Sequence, residues 1–302
     1  MTLSLQLRMP IGISAILVGL SSFAQQGNTK EGYAITWNKA IAVVADSISS
    51  GAHRLPAWTI SVYETDANDV LDRWTTDMKA VSLGVSGKKP MKATGATIGG
   101  VGTGIVVMAQ ASTEKKAKLC RFTIAFAAND STAMPDTTGQ IAYVRGLAVK
   151  YNRAVVQGQI ETYEKLIAKA KGKLSGAKDD VAKTRKSIAK SNAKLGKIKT
   201  GMAKEQGTVA SYRGDVAGME KKFALSNDPK DLQRLTKART RLAKSESKLA
   251  KLMTQEADVE KDLAKHQERL KDDATTEAAR STTTDALQGT IDTLKRKQEA
   301  IK

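Results

Sequence analysis

Reactive chemistry is what this 302-residue sequence has least of: two histidines, one cysteine, and aromatic rings at only 4% of positions. His53 stands beside Arg54 in a polar stretch and His266 falls on an apolar helical line, so no Cys/His cluster has zinc-ligand spacing. A single cysteine cannot close a disulfide within the chain. Cys120 alternates with Phe122, Ile124 and Phe126, the pattern of the inward face of a strand, where a thiol behaves as a small apolar group. Two fragments look like binding loops and fail on context. Gly99-Gly100-Val101-Gly102-Thr103-Gly104 has the glycine density of a phosphate cradle, but a strand follows it and the Lys-Ser/Thr pair is missing. A glycine turn bordering a strand is the expected reading. Asp66-Ala67-Asn68-Asp69 begins like a calcium loop, but Val70 takes a ligand position and the turn glycine is absent, so it reads as an acidic helix start. The expectation is a non-enzymatic protein with no catalytic residue, no metal and no cofactor.

Long apolar runs are also lacking. The longest, Ile11 to Leu20, is about half of what a bilayer-spanning helix needs. It follows Arg8 and precedes Ser22-Phe23-Ala24, which is the grammar of a secretory signal peptide over residues 1–24, cleaved after Ala24. No cysteine follows the run, which excludes a lipid-anchored product. The mature protein is expected to be exported, periplasmic or extracellular, without a transmembrane segment.

Residues 25–138 read as a small α+β head. Residues 25–32 are polar. Trp37, Ile41, Val44 and Ile48 recur at helical spacing and predict a helix over 36–50, though Val43-Val44 would also suit a strand. Trp58, Ile60 and Val62 share one face of a predicted strand over 57–63. Asp66 caps a predicted helix to Val81 whose apolar side holds Val70, Leu71, Trp74 and Met78. A Gly/Lys loop over 84–92 follows. Strands over 104–111 and 118–127 form a hairpin through the turn Ser112 to Lys116. The sheet needs a further helix to cover it, and Ile141, Val144, Leu147, Tyr151 and Val155, after the polar loop 129–139, supply one. Head and helix are therefore expected to be joined rigidly.

From residue 139 to 302 apolar residues return every three and then four positions, the period of left-handed coiled coils. One line holds Leu174, Val181, Ile188, Leu195, Met202, Val209, Val216 and Phe223; the other holds Ala177, Thr184, Ser191, Ile198, Glu205, Tyr212 and Met219. After Ser226-Asn227-Asp228-Pro229 the pattern resumes with Leu235, Leu242, Leu249, Glu256, Leu263 and Leu270 against Ala238, Ser245, Leu252, Val259, His266 and Asp273. Asp228 followed by Pro229 is an acidic cap with proline in the first turn. A connection that short folds the two arms back antiparallel near 226–229. An unbroken first arm would span about 130 Å. Gly172, Gly176, Gly196, Gly201, Gly207, Gly214 and Gly218 weaken it, yet none falls on the seam. From Asp272 to Asp285 the seam turns polar, through Asp273, Glu277, Arg280 and Thr284, before Leu287, Ile291, Leu294 and Ile301 restore it. Local opening is expected there. Ser191, Glu205, Glu256 and His266 are expected to pack imperfectly in a lone hairpin, which favours a homo-oligomer, a dimer of hairpins. The predicted fold class is α+β: an N-terminal antiparallel sheet/helix head followed by a long antiparallel coiled-coil hairpin.

Charge is the most informative surface feature. The chain carries a net +18, and residues 139–302 hold 36 Lys and Arg against 21 Asp and Glu. Between Lys165 and Lys204 there are 13 basic residues and only Asp179 and Asp180 to oppose them. Lys165, Lys169, Lys173, Lys183, Lys186, Lys190, Lys194 and Lys197 form the candidate polyanion-binding face; a solvated helix surface with no ligand is the bland alternative. Such a face concentrates anionic envelope polymers, nucleic acid or acidic unfolded proteins. Aromatic residues that could stack on bases are nearly absent from the arm, so sequence-specific nucleic-acid reading is not expected.

The order of parts, an export segment, a strand-helix-strand-strand head with Trp74 on its helix, a long helix leaving the head over 141–167 and a Lys-rich heptad tail, resembles a group of uncharacterised exported proteins of Bacteroidetes-type bacteria. The second arm extends beyond that pattern. The resemblance implies fold and export and brings no site residues. The leading functional reading is a structural or interaction protein of the cell envelope, a coiled-coil spacer or scaffold with a basic surface. The alternatives are a Skp-like periplasmic holdase chaperone, similar by layout alone, and a polyanion-binding protein.

Overall fold

Alternation of apolar and polar residues builds a single six-stranded sheet, seen in a computed structural model that describes residues 33–135 and 138–302. The expected export segment, residues 25–32, and residues 136 and 137 of the 129–139 loop lie outside the described residues. The elements are β1 (Val44–Ser50), β2 (His53–Tyr63), α1 (Ala67–Lys79), β3 (Gly84–Gly87), β4 (Met91–Ile98), β5 (Gly102–Glu114), β6 (Leu119–Ala127), α2 (Thr138–Ser226) and α3 (Pro229–Glu299). All neighbours in the order β1-β2-β6-β5-β4-β3 pair antiparallel. The fold class is thus an α+β head with an antiparallel sheet, followed by a long helical hairpin. The chain divides into two compact units, residues 33–167 with 286–302, and residues 168–285. The expected head boundary at 138 lies inside the first of these.

In the first unit, Ile60, Val62, Cys120, Phe122, Ile124 and Phe126 turn one face of the sheet toward Val70, Trp74 and Met78 of α1 and Val144, Leu147 and Tyr151 of α2. The start of the long helix covers the sheet, as its apolar spacing predicts. Asp66 caps α1 by accepting bonds from the amides of Asn68 and Asp69 at 2.9 and 3.0 Å, which satisfies two of the orphan donors of the first turn. Gly99, Gly100 and Val101 form the turn between β4 and β5.

Two expectations are corrected. The helix predicted over 36–50 is not formed: residues 37–43 have no regular structure and Val44 begins β1. Here pairing overrides a weak helical period, because Ile48 sits opposite Leu55 in a hairpin and both are buried among Ala57, Met108 and Ala125. Trp37 and Ile41 pack elsewhere, against helices. The loop predicted over 84–92 contains β3 and the start of β4. Gly95, at φ +65° and with Leu83 lying where a Cβ would fall, shifts the register between Ala93 and Ala96. That bulge breaks the two-residue alternation by which a strand is recognised.

The same unit includes the last residues of the chain. Ile291, Leu294 and Ile301 bury themselves against Val156, Ile160, Tyr163 and Ile167. Arg153 Nε donates to the Ile301 carbonyl at 3.0 Å, and Gln298 donates to the Arg153 carbonyl and to Gln157.

The second unit is the antiparallel hairpin. Every seam position named above, from Leu174 to Phe223 and from Leu235 to Asp273, is buried or half-buried. At the corner Asn227 takes φ +53° and its amide donates to the Phe223 carbonyl at 2.9 Å, a helix stop in the left-handed conformation. The Asp228 side chain then accepts from the Lys230 amide at 2.8 Å, capping the helix that Pro229 begins.

Candidate basic interaction face

The heptad register decides which way each lysine points. With the Leu174 line as position a and the Ala177 line as d, Lys169, Lys183, Lys190, Lys197 and Lys204 occupy c, Lys165 and Lys186 occupy f, and Lys173 and Lys194 occupy g. Positions f, c and g are adjacent on a helix surface; f and c lie away from the seam and g flanks it. All eight residues of the predicted face are exposed. Lys165 belongs to the first compact unit and the other seven to the second. Lys183 pairs with Asp180 at 3.3 Å, a contact one turn away on the same helix. From Lys183 to Lys204 the helix has no acidic residue.

The seam beneath this face is more polar than a simple leucine stripe, and its polar members find one another. Glu205, nearly buried, accepts from Ser245 Oγ at 2.6 Å and from Lys248 Nζ at 2.6 Å. Those two bonds, Lys248 first, hold its carboxyl below the usual glutamate range. Thr184 Oγ1 donates to Asp273 at 2.7 Å, and Lys199 lies 3.7 and 3.6 Å from Glu256 and Glu260. In the polar stretch near 280, an Arg280 guanidinium nitrogen donates to the Lys173 carbonyl at 2.7 Å. At the corner Asp231, buried, accepts from Ser226 Oγ at 2.9 Å and faces Lys222 and Arg234; the Ser226 bond is the main reason its carboxyl is held low. Glu205 and Glu256 therefore pack with partners, contrary to the imperfect fit expected of them. The signal was present as polar residues at matching seam positions on the two arms. Among large apolar residues the second unit exposes Leu225, Leu232 and Met253.

The head offers less. A shallow groove between α1 and α2 is lined by Asp72, Arg73, Thr76, Asp77, Lys150 and Tyr151. Both Asp77 oxygens are engaged, one by Lys150 Nζ at 2.7 Å and the other by the Tyr151 hydroxyl at 3.1 Å. Burial pushes the Tyr143 hydroxyl up to about 12 and Tyr151 further in the same direction, so neither ionises near neutrality. Cys120 is fully buried in the sheet core, and burial lifts its thiol to about 12. Among the described residues no group of three His, Cys, Asp or Glu side chains is placed to hold a metal ion, and no helix is long and apolar enough to cross a membrane.

No protein-family model matches the chain, and no curated protein does. Among solved structures, it is similar to a coiled-coil segment of Smc from Pyrococcus yayanosii, at 16% identity and a TM-score of 0.40, over 54% of this chain and 72% of that one.

Proposed function

We propose that the protein is a non-enzymatic scaffold of the cell envelope, exported through its amino-terminal segment, in which the hairpin serves as spacer and interaction surface. The observation that carries this reading is the heptad seam joining the two arms, closed by hydrogen-bonded polar layers and flanked by a lysine-lined outer face. Over residues 168–226 the first arm of the hairpin is about 90 Å long at 1.5 Å per residue. A holdase must offer apolar surface to unfolded clients, and the few exposed apolar residues of the second unit favour the scaffold over that alternative.

The test is to express the full chain in a bacterium and determine where it resides and where it begins. A mature chain starting at Gln25 in the periplasmic fraction, strongly helical by circular dichroism, is the expected result. An uncleaved chain retained in the cytosol would overturn the envelope assignment, and weak helicity would overturn the spacer.

A further inference from the structure

The lysines of the hairpin are not merely dense; they are periodic. Lys183, Lys190, Lys197 and Lys204 repeat at heptad position c without interruption, and c is the centre of the exposed f-c-g surface. In a supercoiled helix, residues seven apart stay on one line relative to the partner arm. The spacing along that line is about 10 Å, seven residues at 1.5 Å each. Lys186 at f and Lys194 at g stand on either side of it, both exposed. Of these six, Lys183 pairs with Asp180 one turn back at 3.3 Å, and Lys204 has Glu205 beside it in sequence, whose carboxylate is already taken by Lys248 and Ser245. The line is a rigid row of cationic points, each at the end of a flexible stem.

We infer that this row binds a linear acidic polysaccharide carrying one carboxylate per disaccharide repeat, laid along the first arm of the hairpin. Three features select that ligand chemistry. The row is straight and long, which matches an extended polymer and not a compact headgroup. Its ammonium groups recognise charge without the bidentate geometry by which arginine selects phosphate, and between Lys169 and Lys204 the arm has a single arginine, Arg185. Its spacing is about threefold wider than the 3.4 Å between phosphates of one nucleic-acid strand, so most phosphates would find no partner, and no aromatic residue stands between Lys169 and Lys204 to stack on bases.

This inference rests on the reading of the hairpin as an interaction surface. It is tested on the full mature chain by fluorescence anisotropy with labelled hyaluronate oligosaccharides and, in parallel, oligo(dT) of similar length, at about 0.15 M ionic strength, where charges more than about 8 Å apart are screened from each other. The variant carrying Lys183→Gln, Lys190→Gln, Lys197→Gln and Lys204→Gln is compared with a charge-matched control, Lys237→Gln, Lys244→Gln, Lys261→Gln and Lys271→Gln. Hyaluronate binding that falls about 10-fold or more in the first variant and less than about 3-fold in the control is expected, since an organised row concentrates counter-ions beyond its net charge. Equal losses in both variants, tighter binding of oligo(dT) than of hyaluronate, or no binding by the parent would each overturn it. Circular dichroism of both variants shows whether the hairpin persists, so failure of the ligand and failure of the scaffold are told apart.

Discussion

The ammonium of Lys297 lies 2.6 Å from the Glu64 carboxylate across 233 residues of sequence, with its side chain almost completely buried. The same ammonium donates to the Ala34 carbonyl at 2.6 Å and reaches Gln159 Oε1 at 3.3 Å. Glu64, held at φ +60°, also accepts from the Ala34 amide at 3.0 Å and from Gln159 at 2.8 Å. One ion pair thus ties the end of β2, the chain at Ala34, α2 and the end of α3 into a single polar knot.

Removing one member of that knot leaves the other charge without its partner in a place water hardly reaches. Lys297→Met is expected to lower the stability of the first unit by about 3 kcal/mol, the low end for a broken buried pair. Adding Glu64→Gln to that variant removes the stranded charge and should restore part of the loss. Urea titrations followed by tryptophan fluorescence read both variants; a double variant no better than Lys297→Met would show that geometry, not charge, is what the pair supplies.

Acid should loosen the hairpin. Glu205 has its folded-state pKa below the ordinary 4.5 because Lys248 and Ser245 bond its carboxylate. Its stabilising contribution is therefore complete above that value and is lost as pH falls through the depressed folded one. Melting temperatures of the parent are expected to drop below about pH 4.5, and Glu205→Gln should flatten part of that drop. Asp231 shifts in the same direction and keeps the remainder.

Glycines on the outer face of the first arm weaken it without serving any contact. Nothing lies within 4 Å of where a Cβ would stand at Gly176, Gly196, Gly207, Gly214 or Gly218. Each Gly→Ala change there is expected to stabilise the helix by up to about 1 kcal/mol, raising the melting temperature additively. Gly95→Ala should do the reverse, since φ +65° and the Leu83 side chain 2.6 Å from the new Cβ both oppose it.

The Cys120 thiol is buried and lifted to about 12, so thiolate is scarce at neutral pH. Native protein is expected to resist alkylation by a maleimide for as long as the sheet stays folded and to react at once in denaturant. Fast labelling of the native protein would mean that β6 opens readily.

The coiled coil was legible because its information is local and repeated. Leu174, Val181 and Leu195, or Leu235, Leu242 and Leu249, each announce the same period, and Asp228-Pro229 marks the reversal. The row of lysines followed from the same register. In the head, β2, β5 and β6 were legible from clean alternation, and α1 from its Asp66 cap and helical spacing. The head was misread where a bulge at Gly95 broke the alternation, and where Ile48 found its partner Leu55 in a strand although its spacing from Trp37 and Val44 suited a helix.

Period and composition by themselves determined the seam, its polar interruptions, the corner and the exposed basic face, because in a heptad helix the repeat alone orients every side chain. Only the tertiary structure decided that Glu205 meets Ser245 and Lys248, and that residues 286–302 close on α2 and Glu64 in the first unit. Those contacts join residues far apart in sequence, and which of many polar or apolar partners meet is settled by how the folded elements pack, a distance relation that no local period encodes.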